Sequence, residues 1–233
     1  MRSTRLFFLL LTSAMSVQAG EPVHFTTPSE EPSKAYDVST AYMTALCGEA
    51  KLQCELESVP LLRSADEMKH GATDVDLARV ENAADLYGVQ GDFRRLDVPM
   101  TTLGIVIYTP AQAPPVESWA DLAAIPRKVG YRRGSIYIGQ RFRELGEAVS
   151  PVPLAADTPC IQMLTTGRLD ACVSYVELED RPTTAQVELR AIQRSREIDR
   201  IKLYAFVNLR RKWIVRAPER RRAPPPGQSG PLI

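Results

Sequence analysis

Arg132, Arg133, Gly134 and Ser135 stand in a row between a short apolar stretch, Lys128 to Tyr131, and a segment whose apolar residues Ile138, Phe142 and Leu145 recur at helical spacing. A strand that turns through Gly-Ser into a helix leaves the first backbone N–H groups of that helix without partners, and the helix dipole adds positive potential at the same place. With two guanidinium groups beside it, such a turn suits a small anion, a carboxylate or a phosphate. The same residues have a plainer use. A serine at a helix start caps it, its oxygen accepting from an N–H two or three residues on, and the sequence leaves both readings open.

Other chemistry finds less support. The two histidines, His24 and His70, have no carboxylate or nucleophile pattern around them, and a lone histidine at a strand start or helix end is usually structural or solvated. Glu30 and Glu31 lie in a loop from which an acid can reach a cleft, and Tyr36, which closes that loop, reads as a cleft aromatic rather than a core one. Trp119 reads as packing for the Ser118–Asp121 turn, with ligand stacking as the alternative. No His/Cys/Asp cluster has ligand spacing, so neither a metal nor a cofactor is expected.

The first nineteen residues read as a secretory signal: Arg2 and Arg5, an apolar run from Leu6 to Ala14, and a small-residue cleavage site at Val17-Gln18-Ala19. The apolar run is shorter than the roughly 20 residues a membrane span needs, so an exported, periplasmic product without direct membrane insertion is expected. Removing Arg2 and Arg5 from the 29 Lys+Arg leaves 27 against 28 Asp+Glu, a balance that gives no support for nucleic-acid binding. Four cysteines in an exported chain favour disulfides. Cys47 and Cys54, flanking the bend after a helix that ends at Gly48, are the expected pair; Cys160 and Cys172 are the second candidate.

The elements that must position these groups alternate between strand and helix. Strands are expected at Val23–Thr27, Gln53–Val59, Val75–Arg79, Leu96–Pro99, Leu103–Tyr108, Lys128–Tyr131, Val152–Leu154, Ala171–Tyr175, Glu188–Ile192 and Lys202–Val207. Helices are expected from Asp37 to Gly48, from Ser64 to His70, from Ser135 to Gly146, and from Thr158, as N-cap before Pro159, to Gly167. This order is that of an α/β sheet with βαβ crossovers. The proline-rich Thr109–Pro115 has the composition of a connector between lobes, and Glu179–Thr184 that of a second crossing. The chain after Arg216, dense in arginine and proline, reads as a disordered tail.

Several of these pieces together resemble the bacterial extracellular solute-binding proteins of family 3, which serve amino-acid ABC transporters: Pro60 with Arg63, the turn from Gly71 to Asp76, Ser118–Ser135, and Asp157–Tyr175. The resemblance implies an α/β fold of the type II periplasmic-binding-protein kind, two lobes joined by two crossing strands. Residues 20–108 with 185–215 would form lobe 1, residues 109–184 lobe 2, and 216–233 the tail. It further implies a monomer that holds a small polar or carboxylate-bearing solute in the cleft, with no enzymatic activity, and a membrane permease as partner. In that pattern Arg79 lies near the place of a ligand-binding arginine, with surface pairing to Asp76 or Glu81 as the alternative. Gly134, Ser135 and Ile136 match the turn that binds a carboxylate, and Thr158 a further helix start at the cleft. Two departures stand out. Tyr175 occupies a position where amino-acid binders place a carboxylate, and a phenol does not neutralise an ammonium. Where family members follow the last strand with an amphipathic helix, this chain passes into Arg/Pro-rich sequence; either the tail replaces that helix or Asn208–Val215 supplies one abbreviated turn of it. A periplasmic accessory protein that has lost its ligand, or a dehydratase-type enzyme on the same fold, are the alternatives.

Overall fold

The computed structural model describes residues 21–124, 127–155, 157–177 and 191–211. The signal, the second crossing, most of the strand expected at Glu188–Ile192, and the tail lie outside the described residues.

In chain order the elements are β1 (Val23–Thr27), α1 (Lys34–Ala50), β2 (Cys54–Ser58), α2 (Leu61–His70), β3 (Val75–Val80), α3 (Ala83–Tyr87), β4 (Phe93–Arg95), β5 (Thr101–Pro110), α4 (Trp119–Ala123), β6 (Arg127–Arg132), α5 (Ile136–Leu145), β7 (Val149–Leu154), α6 (Asp157–Thr165), β8 (Ala171–Glu177), β9 (Ile192–Arg194) and β10 (Asp199–Asn208). The main sheet runs β2-β1-β3-β10-β5-β8-β6-β7, with β4 on β10 and β9 on β5. Strands β1, β2 and β3 are mutually parallel, as are β6, β7 and β8. Between the two parallel groups, β5 and β10 pair antiparallel over Thr101–Ile105 and Asp199–Leu203 and belong to both halves. They are the two crossing strands of a two-lobe α/β architecture.

Each lobe is a sheet covered on both faces. Along β5, Ile105 and Ile107 pack with Leu122, Ile138 and Phe142 of α4 and α5, while Val106 and Tyr108 face the opposite way onto Cys160, Ile161 and Leu164 of α6. Strict alternation buries both sides of the strand, which is why its sequence reads as one apolar run. In the other lobe Val23, Phe25, Val75 and Leu77 pack with Cys47 of α1, and Met68 of α2 packs with Phe93 and Phe206.

Both cysteine pairs are disulfides, Cys47–Cys54 and Cys160–Cys172. They close loops with sequence separations of 7 and 12, for which chain-entropy arguments give about 2.5–3 kcal/mol each. The second ties α6 to β8 across β6, where Gly130 lacks a side chain: a Cβ there would lie 2.3 Å from the Cys160 sulfur.

Some elements differ from expectation for identifiable reasons. Helix α1 starts three residues before Asp37, because Ser33 caps it through a side-chain bond from Tyr36 N–H at 3.1 Å. Helix α2 starts at Leu61; Ser64 sits inside it and spends its hydroxyl elsewhere. The strand expected at Leu96–Pro99 lies earlier, at Phe93–Arg95: the Leu96 N–H still bonds Ala205, but Pro99 has no donor to extend the ladder. Thr109–Pro115 is not the passage between lobes. It forms the end of β5 and a turn beyond it, held by Ala113 N–H to the Pro110 carbonyl at 2.9 Å and by Gln193 donating to Ala113 at 2.7 Å. Proline density marks turns and linkers alike, and the lobes separate instead near Thr101–Leu103, within the β5–β10 ladder.

Candidate functional site

A cavity of about 210 Å³ lies between the lobes, floored by the crossing strands and walled by Arg79, Gly134, Ser135, Ile136, Asp157 and Tyr175 among others. It falls below the roughly 300–1,000 Å³ typical of sites for drug-sized ligands, a size that suits a small solute.

The lobe-2 wall is the turn from β6 to α5. Gly134 has φ +86°, a conformation that side chains disfavour, and a Cβ on it would come within 2.8 Å of Leu61 Cβ in lobe 1. The missing side chain therefore lets the two lobes touch beside the cavity. Ser135 precedes the first turn of α5 but makes no side-chain cap bond. It is 5% exposed and its hydroxyl has no hydrogen-bond partner among the described residues; Tyr175 lies beside it without hydrogen-bonding geometry. The capping use of Ser135 is thus absent, and its Oγ remains available at the cavity wall together with the first amides of a ten-residue helix. Burial holds the Tyr175 phenol far above its ordinary pKa, so it stays neutral.

The lobe-1 wall is Arg79, 2% exposed. Its Nε donates to Asp76 Oδ2 at 2.6 Å, and Nη2 donates to the Ser64 hydroxyl, which itself donates to Asp76 Oδ1 at 2.7 Å. Thr26 adds a third donor to that carboxylate at 3.0 Å. Burial opposes the arginine's charge, but the adjacent Asp76 outweighs it and keeps the guanidinium protonated. The fork expected to clasp a ligand is turned inward on Asp76, and among the described residues Nη1 is the nitrogen without a hydrogen bond. Surface pairing with Glu81 does not occur; Glu81 is exposed and pairs with Arg95.

Two further charged groups border the space. Arg132, at the end of β6, reaches across to lobe 1, donating to the Pro28 carbonyl at 2.9 Å and lying 3.8 Å from Glu30. Asp157, the first residue of α6, is reached by solvent yet crowded by protein; burial raises its carboxyl pKa against the lowering influence of Arg132.

No protein-family model matches the chain, and no curated protein matches it. Solved structures do. The ligand-binding core of GluR0 in complex with L-glutamate superposes with TM-score 0.61 at 15% identity, covering 83% of this chain and 88% of that one. A periplasmic binding protein of an arginine transport system from Legionella pneumophila gives 0.58 at 15% identity over 83% and 90%. An ancestral amino-acid-binding protein, a precursor of cyclohexadienyl dehydratase, gives 0.57 at 16% over 83% and 88%. The chain has the type II periplasmic-binding-protein fold. Identity at this level establishes the fold and leaves the ligand open.

Within the periplasmic-binding fold the sequence-derived residues do not all meet. Arg79, Gly134, Ser135, Ile136 and Tyr175 line the inter-lobe cavity; Thr158 and Tyr36 do not. Thr158 is exposed, because the helix begins one residue earlier and presents Asp157 to the cleft instead. Tyr36 is half-buried within the first turn of α1, near Glu31. Trp119 is structural: its indole N–H donates to Asp199 at 3.1 Å and its ring meets Phe142 edge-on. Arg132 and Asp157 were the residues to find. An arginine at a strand's last position and an acid at a helix's first are the signals that point to them, since both positions open toward a cleft at the carboxyl ends of parallel strands.

Proposed function

We propose that this protein is a periplasmic solute-binding protein that captures a small carboxylate-bearing solute between its lobes for delivery to an ABC-transporter permease. The observation that carries the reading is the Ser135 hydroxyl, buried, without a partner among the described residues, and set at the N-terminus of α5 on the cavity wall. A buried hydroxyl left unbonded costs stability unless something completes it, and an anion at that place also gains the dipole and the first amides of α5, of which that of Ile138 faces the Tyr175 phenol. Arg132 adds a guanidinium to the cavity border from the end of β6.

The reading contains no reaction. Among the described residues Asp157 is the carboxyl that borders the cavity, and its titratable neighbours there are arginines and tyrosines, none of which serves as a base near neutral pH. The test is a thermal-shift screen of the purified protein against small carboxylates, amino acids and sugars, followed by calorimetry of the hits with Ser135→Ala. A carboxylate that raises the melting temperature by mass action and loses affinity in the variant supports the reading. Sugar binding untouched by Ser135→Ala refutes it. Export is tested separately, by recovery of the chain in an osmotic-shock fraction with Gly20 as its new N-terminus.

A further inference from the structure

Resting on the carboxylate reading above, we propose that the solute is a monocarboxylate with a hydrocarbon body and no amino group. Away from the α5 turn, the cavity wall is built by Val38, Leu61, Val80, Leu103, Ile201 and Leu203. They come from α1, α2, β3, β5 and β10, so the apolar surface is supplied by lobe 1 and by the crossing strands beneath the space. Covering such surface is favourable in proportion to the apolar area withdrawn from water. A polar solute body placed against it would lose hydration. Away from that turn, the serines and threonine that also line the space are Ser29, Ser39 and Thr101, and the Ser39 hydroxyl is already bonded to Thr27 and Ala35.

The charges bordering the cavity point the same way. Arg79 and Arg132 border it, and each is already set against acids: Arg79 against Asp76, whose carboxylate also accepts from Ser64 and Thr26, and Arg132 against Asp157 and Glu30. A carboxylate entering this space finds the Ser135 hydroxyl and the first turn of α5 beside those guanidiniums. An ammonium meets two guanidiniums, a neutral phenol at Tyr175, and an Asp157 whose charge is answered by Arg132 and by the N-terminal end of α6. Burial disfavours the ionised form of Asp157 further, which makes it a weak counter-ion.

The experiment is calorimetry on matched pairs that differ by one amino group: 4-methylpentanoate against leucine, and 3-phenylpropanoate against phenylalanine, with glutamate as a polar-bodied control. The amine-free member of a pair should bind about ten-fold tighter or more, and Asp157→Asn, which frees Arg132 from its acid, should hold or raise its affinity. Equal or tighter binding of the amino acid overturns the inference while leaving the carboxylate reading intact, as does glutamate binding tighter than either acid. A ten-fold drop in leucine affinity in Asp157→Asn, with leucine the better ligand, overturns it by assigning the ammonium to Asp157. Silence from every carboxylate overturns the carboxylate reading itself, and this inference with it.

Discussion

The two walls of the cavity treat polar groups in opposite ways. On the lobe-1 side Arg79, Asp76, Ser64 and Thr26 form a closed network in which the carboxylate accepts three donors and the guanidinium fork is filled. On the lobe-2 side Ser135 is as deeply buried as that network, yet its hydroxyl bonds to nothing among the described residues. Burial and polarity alone therefore do not mark a binding group. A satisfied network holds the fold, and an incomplete one waits for a partner.

Replacing Arg79 by Ala should break this contrast most severely, because it strands the fully buried Asp76 carboxylate. Removing one member of a buried pair costs about 3–5 kcal/mol, so chemical denaturation should show a destabilised protein before any ligand is added. A stable Arg79→Ala protein that has lost only ligand affinity would move this arginine from the fold to the site.

Ser135→Ala should behave in the reverse manner. Hydrogen bonds to charged groups contribute about 1.5–3 kcal/mol, so affinity for a carboxylate should fall roughly ten- to a hundred-fold while the ligand-free melting temperature holds or rises. A fall in that melting temperature would mean the hydroxyl has a structural partner.

Gly134→Ala tests where the walls meet. The strained φ costs about 1–2 kcal/mol, and the new methyl presses on Leu61, so scattering should report a wider lobe separation and calorimetry a weaker ligand.

The smallest effect belongs to Asp157→Asn. The carboxyl pKa is raised on folding, so the ionised group opposes folding above that raised value, and the penalty fades as pH falls below the ordinary carboxylate range. The variant should melt slightly higher than the native chain at neutral pH and equally at acid pH. A lower neutral-pH melting temperature would show that Asp157 anchors the closed lobes through Arg132.

The turn at Gly134-Ser135 was legible because a glycine, a serine and a 3.6-residue period announce a helix start locally. The fate of Arg79 was not. In a regular strand residues three apart point to opposite faces, which would separate Asp76 from Arg79. Here Ala78 takes φ +58°, and β3 spends three steps against two on β10, Asp76 opposite Phe206 and Arg79 opposite Tyr204. That bulge brings the two side chains together, and nothing in the letters Asp-Leu-Ala-Arg declares it. Helix α3, five residues long, is too short to impose a period, and Thr158 was misjudged by a single position at a helix end, where boundaries are least determined.

The ladder shared by β5 and β10 has a mechanical meaning. Five register pairs, from Thr101–Leu203 to Ile105–Asp199, run through the place where the lobes part. A ribbon of two bonded strands bends and twists as a leaf spring does, with its rungs intact, so the lobes have an elastic restoring torque built into the junction. Arg132 and Gly134 meet lobe 1 across the cavity, at the Pro28 carbonyl and at Leu61, so flexure of the spring is read directly as the making or breaking of those contacts.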